Sequence, residues 1–274
     1  MLDFNRLDQA AVRAYARPDK YGPISEMLIR ALYEDLLVAG DAAIDVGVNY
    51  GIHLFEMARC VGEKGLVIGI EANVERYGAL LKRIAHDNLT NISLLNVAAA
   101  DSEGFCDFFV NRSYSGWSSR NEHHRRTEED VIEKVRAYAV ELSRVIPVRI
   151  NPRFIKIDIE GGEFSALLGM RQLMLRAQPI VVFEGALTKS AEQFGFPRGA
   201  VPEFFNRLKY VAADLFGELI DPADWRPGAA WNFVAFRSAA GESERVATAL
   251  TNAWIKVLRD EKERAASGSS APHP

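Results

Sequence analysis

Short apolar runs alternate along the chain with longer segments in which apolar residues recur every three or four positions. Uninterrupted apolar runs of this length are typical of strands buried on both faces of a parallel sheet. They cover residues 42–46, 66–70, 92–97, 154–158 and 180–184. The segments between them are amphipathic and predict helices, such as the one over residues 163–176. Because a parallel strand is reached through a crossover helix, this alternation predicts an α/β fold.

The pattern changes in the last third of the chain. Residues 202–208 predict a short helix, and two strands, residues 210–215 and 232–237, follow without a predicted helix between them. Two strands joined in this way run antiparallel. We therefore expect a seven-stranded, mostly parallel sheet with an antiparallel last strand and helices on both faces.

One long polar segment interrupts the alternation. Residues 105–110 predict an extra strand, and the insertion that follows, residues 111–150, has apolar positions from Val131 to Tyr138 that are spaced as in a helix. Insertions of this length inside a compact unit are commonly lids or binding elements. We expect residues 111–140 to form a mobile lid over the substrate-binding part of a site at the carboxyl ends of the strands.

Breaks in the pattern divide the chain into three parts. An N-terminal helical segment, residues 1–39, contains the breaker Gly22 and Pro23, after which its main helix is predicted to begin. The α/β domain is expected over residues 40–238. Residues 239–274 predict a C-terminal helix and a disordered tail.

Composition excludes several classes of protein. Hydrophobic residues make up 48% of the 274 residues, which is enough for a large core and excludes a disordered or fibrous chain. The net charge of −4 provides no basic surface for nucleic acid. The chain contains no run of eighteen apolar residues and no export signal, and its two cysteines, Cys60 and Cys106, match no disulfide or zinc pattern. We expect both cysteines to be small buried residues of a cytoplasmic protein that does not enter a membrane.

The most informative motif follows the first predicted strand. Residues 45–51 have the sequence DVGVNYG, in which the glycines let the backbone approach a ligand closely at the carboxyl edge of the sheet. The dinucleotide fingerprint G-x-G-x-x-G is missing, and Asp45 ends the strand, so the loop suits a cationic group better than a phosphate. An α-amino group carried by a sulfonium compound would fit.

A second acidic residue supports the same ligand. Glu71 ends the second predicted strand, about twenty residues after the loop, where a carboxylate can accept hydrogen bonds from both hydroxyls of a ribose. The loop and Glu71 together predict a pocket for S-adenosylmethionine of the Rossmann-like class I methyltransferase type.

Several blocks resemble the FkbM family of S-adenosylmethionine-dependent methyltransferases. They are the 45–51 loop, Glu71, the segment 96–104 with the sequence NVAAADSEG, and residues 154–163 with the sequence FIKIDIEGGE, which continue into the strand 179–184. The resemblance covers about residues 40–237 and implies O-methylation of natural products or sugars. It also implies site roles for particular residues. The methionine end of the cofactor is expected to contact Asp45, Gly47, Asn49 and Gly51. The ribose is expected to contact Glu71, and the adenine side Asn96 and Ala98.

Two further carboxylates are expected beside the cofactor. Asp158 and Glu184 end adjacent predicted strands at the edge that faces it. They can orient or deprotonate an acceptor hydroxyl, or hold a divalent cation such as Mg²⁺, as in related O-methyltransferases of this fold. Nearby, Glu163 is also explained as a helix cap, and Lys156 as half of a structural ion pair.

Some alternatives stay open at this point. The expected partner is a small-molecule acceptor, with no nucleic acid and no membrane, and a homodimer is one open form of assembly. A non-catalytic protein that binds S-adenosylmethionine has the same pocket. An NAD-dependent oxidoreductase shares the strand and helix alternation, but the missing glycine fingerprint argues against it.

Overall fold

The computed structural model describes Val12 and residues 18–122, 127–184, 195–197, 199–220, 232–239 and 241–267. The strands are β1 (Ala42–Val46), β2 (Leu66–Ile70), β3 (Ile92–Leu95), β4 (Ala98–Ala99), β5 (Gly104–Asn111), β6 (Ile132–Val140), β7 (Pro152–Ile157), β8 (Ile180–Glu184), β9 (Tyr210–Asp214) and β10 (Asn232–Arg237). The helices are α1 (Pro18–Leu36), α2 (Ile52–Val61), α3 (Val74–His86), α4 (Leu142–Val145), α5 (Glu163–Gly169), α6 (Arg171–Ala177), α7 (Ala200–Leu208) and α8 (Glu242–Ser267). The predicted disordered tail lies outside the described residues.

The main sheet has seven strands in the order β3-β2-β1-β7-β8-β10-β9. Its first five strands are parallel, and β10 runs antiparallel to both β8 and β9. The predicted seven-stranded, mostly parallel sheet with an antiparallel last strand is therefore confirmed. A smaller sheet, in the order β4-β6-β5, follows β3 in the chain.

Helices cover both faces of the main sheet, as predicted. The core of one face lies under α1, α2 and α8 and includes Leu32, Leu54, Phe154 and Trp254. The core of the other face lies under α5, α6 and α7 and includes Ile44, Ile155, Phe164 and Phe183. Because successive residues of a strand point to opposite faces, Asp45 and Lys156 belong to the first face; they are register partners on β1 and β7.

The predicted break before α1 is wrong. The helix begins at Pro18 and continues through Pro23 to Leu36. Pro23 lies on an exposed side, where water can satisfy the carbonyl that its missing N–H leaves unpaired. Ser25 Oγ also donates to the carbonyl of Gly22, 2.7 Å away, in the same turn.

The helix-like interpretation of the insertion is wrong as well, because residues 132–140 form strand β6. Their burial alternates, with Ala137 and Ala139 packed against Phe108 of β5 while Tyr138 points outward. The strand pairs antiparallel with β5 along the whole length of that strand. A period of two residues had been interpreted as a helical period.

Two smaller differences concern helix continuity and the cysteines. The single helix predicted over 163–176 is divided at Met170 into α5 and α6. The division follows Gly169, whose backbone approaches strand β4 so closely that a Cβ would lie 1.8 Å from the carbonyl oxygen of Ala100. Cys60 and Cys106 are free but only half-buried, so they are less enclosed than expected. Among the described residues, no helix is long and apolar enough to cross a bilayer.

Candidate active site

A cleft lies at the carboxyl ends of β1, β2 and β7, beneath the segment that joins β5 to β6. Three loops form its walls: the glycine loop after β1, the turn after β2 and the loop after β7. The predicted site residues that line the cleft are Gly47, Asn49, Glu71, Ala98 and Asp158. The predicted site residues outside its lining are Asp45, Gly51, Asn96 and Glu184.

Glu71 joins the first two loops. Its carboxylate accepts the backbone N–H of Asn49 on one oxygen and that of Asn73 on the other, both at 2.7 Å. Burial raises the pKa of Glu71, and the two N–H donors only partly oppose this effect. Since a carboxylate has about four lone-pair directions, each oxygen still has one free for a donor in the cleft.

Asn96 supports the same turn from behind. Its side-chain amide donates to the carbonyl of Glu71 at 2.8 Å and to that of Ala72 at 3.2 Å. In this structure Asn96 therefore positions the turn after β2 and does not line the cleft.

An apolar wall occupies the side of the cleft next to this turn. It consists of Ala72, Val97, Ala98, Ala99 and Phe108. Phe108 comes from β5 of the small sheet, and sequence reasoning did not place it in the site. Its period-two pattern indicated a strand but not the surface against which that strand would pack.

Asp45 lies behind the glycine loop, on the sheet face covered by α1 and α2. Its side chain is 1% exposed, and its Oδ1 atom has no hydrogen-bond partner among the described residues. Burial raises the pKa of Asp45, although the positive charge of Lys156 acts in the opposite direction. Gly51 also lies behind the cleft, where it is the N-cap of α2.

The loop after β7 carries an ion pair and a carboxyl pair. Lys156 is 4% exposed, and its Nζ lies 2.8 Å from Oδ2 of Asp158. Burial acts to raise the pKa of Asp158, but the Lys156 charge and a hydrogen bond with Glu184 hold it below its usual value. Burial and the charge of Asp158 raise the pKa of Glu184 well above its usual value. The Lys156 ammonium thus favours the ionised form of Asp158, and burial together with the charge of Asp158 favours the protonated form of Glu184.

Glu163 stabilises this loop from within. Its Oε1 accepts the backbone N–H groups of Ile159 at 3.1 Å and Gly161 at 3.0 Å, whereas its Oε2 has no partner among the described residues. The side chain is 1% exposed, and this burial raises its pKa to about 7. Glu163 therefore stabilises the loop before α5 and makes no side-chain cap of that helix, so its role is structural but differs from the predicted helix cap.

The segment between β5 and β6 reaches across the mouth of the cleft. Ser115 Oγ donates to Oδ1 of Asn49 at 3.1 Å, and Ser119 Oγ donates to the carbonyl of Glu160 at 2.7 Å. Residues 115, 116 and 118 line the cleft. Because residues 132–140 are a strand, the covering part is shorter than the predicted 111–140 lid. Its mobility stays a prediction.

A buried histidine connects the cleft loops to α1. The Nε2 of His53 lies 2.6 Å from Oε2 of Glu26, and its Nδ1 lies 3.3 Å from the hydroxyl of Tyr33. Both ring nitrogens are thus engaged inside the protein. His53 lies in α2 and its partners lie in α1, 20 and 27 residues earlier, so the period of either helix alone could not indicate this contact.

The carboxylates at this edge do not form a ready site for a divalent cation. Oxygens of Asp158, Glu160 and Glu184 lie within 4.8 Å of one another, which is a spacing that a metal ion could bridge. However, an oxygen of Asp158 already faces the Lys156 ammonium, and the pKa of Glu184 is raised well above its usual value by burial and by the charge of Asp158. A magnesium site needs deprotonated oxygens in an octahedral arrangement, so this donor set does not fit Mg²⁺.

Comparison with known proteins identifies the family. The model of the methyltransferase FkbM domain matches residues 45–220, which include the glycine loop, Glu71 and the loop after β7. The chain belongs to the FkbM methyltransferase family. As an FkbM methyltransferase it has the Rossmann-like fold of S-adenosylmethionine-dependent enzymes, and the family implies S-adenosylmethionine as its cofactor.

Solved structures similar to this FkbM methyltransferase have low sequence identity. The methyltransferase FkbM from Methylobacillus flagellatus KT is 17% identical over 72% of this chain and 43% of that protein, with a TM-score of 0.46. This chain thus spans less than half the length of that protein. A SAM-dependent methyltransferase from Aquifex aeolicus is 14% identical over 84% of this chain and 97% of that protein, with a TM-score of 0.40. No curated protein matches the chain in sequence.

Proposed function

We propose that this FkbM methyltransferase transfers the methyl group of S-adenosylmethionine to a hydroxyl group of a small molecule. The observation that supports this proposal is the anionic carboxylate of Asp158, which lines the cleft next to the glycine loop. A hydroxyl nucleophile needs a hydrogen-bond acceptor that aligns its oxygen and receives its proton. Asp158 is such an acceptor.

The residues around the cleft fit the cofactor. Glu71 has free lone pairs for ribose hydroxyls, and the apolar wall beside Ala98 suits a flat heterocycle. Asp45 is 1% exposed and lies outside the lining of the cleft, so any effect that it has on the methionine end is exerted from behind the glycine loop. We therefore keep the predicted roles of Gly47 and Asn49 at the methionine end. When bound, S-adenosylmethionine supplies a methyl group that its sulfonium charge has already activated.

The chain's own contribution is mainly alignment. The glycine loop, which is expected to hold the cofactor, lies next to the loop after β7, which carries Asp158. Glu71 fixes the glycine loop by accepting the N–H of Asn49. A lowered pKa makes Asp158 a weak base at the start of the reaction. The hydroxyl proton becomes strongly acidic as the oxygen bonds to carbon, however, so even a weak base can then accept it.

Isotope transfer tests the proposal. The purified protein is incubated with methyl-labelled S-adenosylmethionine and an extract of the source cells, and label is measured in the small-molecule, protein and nucleic-acid fractions. We expect the label in the small-molecule fraction. The labelled product should survive mild base, because a methyl ether is stable under these conditions whereas a methyl ester is hydrolysed.

Asp158→Asn is the matched variant for this assay. We expect it to bind S-adenosylmethionine within a few-fold of the unchanged protein in calorimetry and to reduce transfer by about 10²–10⁴-fold. Label found only in protein or nucleic acid, or full transfer by Asp158→Asn, would contradict the proposal. Cofactor binding without transfer to any fraction would favour the non-catalytic alternative.

A further inference from the structure

The ammonium of Lys156 lies beside Asp158, which is one of three neighbouring carboxylates at the ends of β7 and β8. It contacts Asp158 Oδ2 at 2.8 Å, and Asp158, Glu160 and Glu184 offer oxygens within 4.8 Å of one another. Lys156 is 4% exposed, so its ammonium is held inside the protein.

Acidic groups from other elements also face this ammonium. Asp45 is opposite Lys156 in the β1–β7 register, is 1% exposed and has an Oδ1 atom without a hydrogen-bond partner among the described residues. Glu26 of α1 and Asp158 contribute further negative charge, and their combined effect raises the pKa of Lys156 well above its usual value despite burial. Carboxylates from three parts of the chain thus surround the ammonium, and Asp158 contacts it directly at 2.8 Å.

We propose that Lys156 is a positioning residue that takes the place of a divalent cation at this sheet edge, so that Asp158 is held as an anion and the site works without a metal ion. The inference rests on the proposed methyl transfer at Asp158, but its central claim concerns cation binding and can be measured without an acceptor. A divalent cation on Asp158 would lie next to a fixed ammonium in a buried setting, where like charges repel strongly.

The proposal that the Lys156 ammonium replaces a divalent cation can be tested by removing the ammonium. If the ammonium occupies the place of the cation, removing it should leave a group of carboxylates that a divalent cation can enter. Lys156→Met removes the charge and retains an unbranched side chain of similar length. Mn²⁺ is a suitable probe because it prefers oxygen ligands and is detected by electron paramagnetic resonance.

The experiment is a Mn²⁺ titration of the full-length, chelator-treated protein. We expect the unchanged protein to bind no Mn²⁺ that depends on Asp158. We expect Lys156→Met to gain one equivalent, with an affinity at least about tenfold above the weakest binding that the titration detects, and the double variant Lys156→Met/Asp158→Asn to lose it again. The matched control is Lys134→Met, which removes an equally short Lys–Asp pair, 2.8 Å from Asp107, on the exposed surface.

Two results would overturn the inference. One is a Mn²⁺ equivalent on the unchanged protein that disappears in Asp158→Asn; the other is a folded Lys156→Met that gains no Mn²⁺. If Lys156→Met does not fold, the first result still decides the question, and Lys156→Arg, which keeps the charge, should behave as the unchanged protein does.

Labelled-methyl transfer is measured in parallel with and without EDTA. Absence of transfer in both samples contradicts the proposed function, whereas transfer that EDTA abolishes and Mg²⁺ restores contradicts the inference on Lys156.

Discussion

Gly47 and Asp158 are packed backbone against backbone, so closely that a Cβ on Gly47 would lie 1.8 Å from the carbonyl oxygen of Asp158. The N–H of Asp158 also donates to the carbonyl of Val46 at 2.9 Å. The loop expected to hold the cofactor and the loop that carries the proposed base are therefore one unit. Their separation is set by main-chain contacts, which are less adjustable than side-chain contacts.

Substitution of Gly47 should break this unit. Gly47 has a φ of +86°, and Gly47→Ala adds both left-handed strain and an unavoidable clash with the Asp158 main chain. We expect S-adenosylmethionine affinity to fall by more than about tenfold and stability by at least about 2 kcal/mol. Calorimetry and urea unfolding measure the two effects.

Gly40→Ala is the matched control for this substitution. Gly40 has a φ of +94° and would have no atom within 4 Å of an added Cβ, so its substitution adds strain without a clash. We expect a cost of only about 1 kcal/mol and unchanged cofactor affinity. Equal effects of the two substitutions would show that the contact with Asp158 is unimportant.

Glu71 is predicted to carry much of the cofactor affinity. Glu71→Ala removes the acceptor for ribose hydroxyls and also leaves the N–H groups of Asn49 and Asn73 without their partner, so we expect binding to weaken by more than about 1.5 kcal/mol. Glu71→Gln keeps one acceptor oxygen, so we expect its affinity for S-adenosylmethionine to lie between those of the unchanged protein and Glu71→Ala. Glu63→Ala, at an exposed turn, is the control. An unchanged dissociation constant in folded Glu71→Ala would remove Glu71 from the pocket.

The ends of the parallel strands could be located from the sequence, but the direction of each side chain there could not. Apolar runs located the parallel strands, and because the carboxyl ends of parallel strands meet at one edge, the sequence correctly brought Gly47, Glu71 and Asp158 to a common cleft. Which side chain at a strand end enters the cleft depends on its alternation between faces. Asp45 points to the opposite face from Val46, and only Val46 lines the cleft.

Contacts between distant segments could not be predicted in the same way. The hydrogen bond from Ser115 to Asn49 and the contact between His53 and Glu26 join residues with no shared periodicity. Strand β6 was assigned wrongly because its exposed Tyr138 has the same spacing as a helical apolar position. In contrast, Lys156 and Asp158 are two residues apart on an extended segment, a spacing that places side chains on one face and is compatible with their ion pair.

Glu163 predicts a specific dependence of stability on pH. Its pKa is about 7 in the folded protein, against 4.5 for the ordinary group, because the side chain is buried. Between these values the folded state retains a proton that the unfolded chain releases, so unfolding releases a proton and stability falls as the pH rises. The total loss from about pH 4.5 to about pH 7 corresponds to about 3 kcal/mol.

Glu163→Gln separates the pH dependence of stability that Glu163 causes from that of the other titrating groups. Glu163→Gln keeps an oxygen for the N–H groups of Ile159 and Gly161 but cannot ionise, so we expect its stability to fall less over this pH range than that of the unchanged protein. Urea unfolding at several pH values measures the difference. Glu129→Gln, in an exposed turn, should leave the original pH dependence in place. Parallel pH profiles for the unchanged protein and Glu163→Gln would contradict the assignment.

The covering segment between β5 and β6 should respond to the cofactor at its tip and not at its base. Its base is fixed by Asn111, which is fully buried, donates to Asp130 at 2.7 Å and accepts the N–H groups of Ser113 and Tyr114. Its tip is connected to the cleft by the bond between Ser115 and Asn49.

Hydrogen exchange with and without S-adenosylmethionine tests this difference between tip and base. We expect the cofactor to slow exchange in residues 115–118, while the paired strands β5 and β6 exchange at an unchanged rate because their hydrogen bonds are already formed. Ser115→Ala removes the bond to Asn49 and should raise both association and dissociation rates, with affinity changed by less than about tenfold. Asp107→Asn, on the exposed side of β5, is the control. If exchange at residues 115–118 does not respond to the cofactor, or if the response extends equally along both strands, the segment is a fixed wall of the cleft and not a lid.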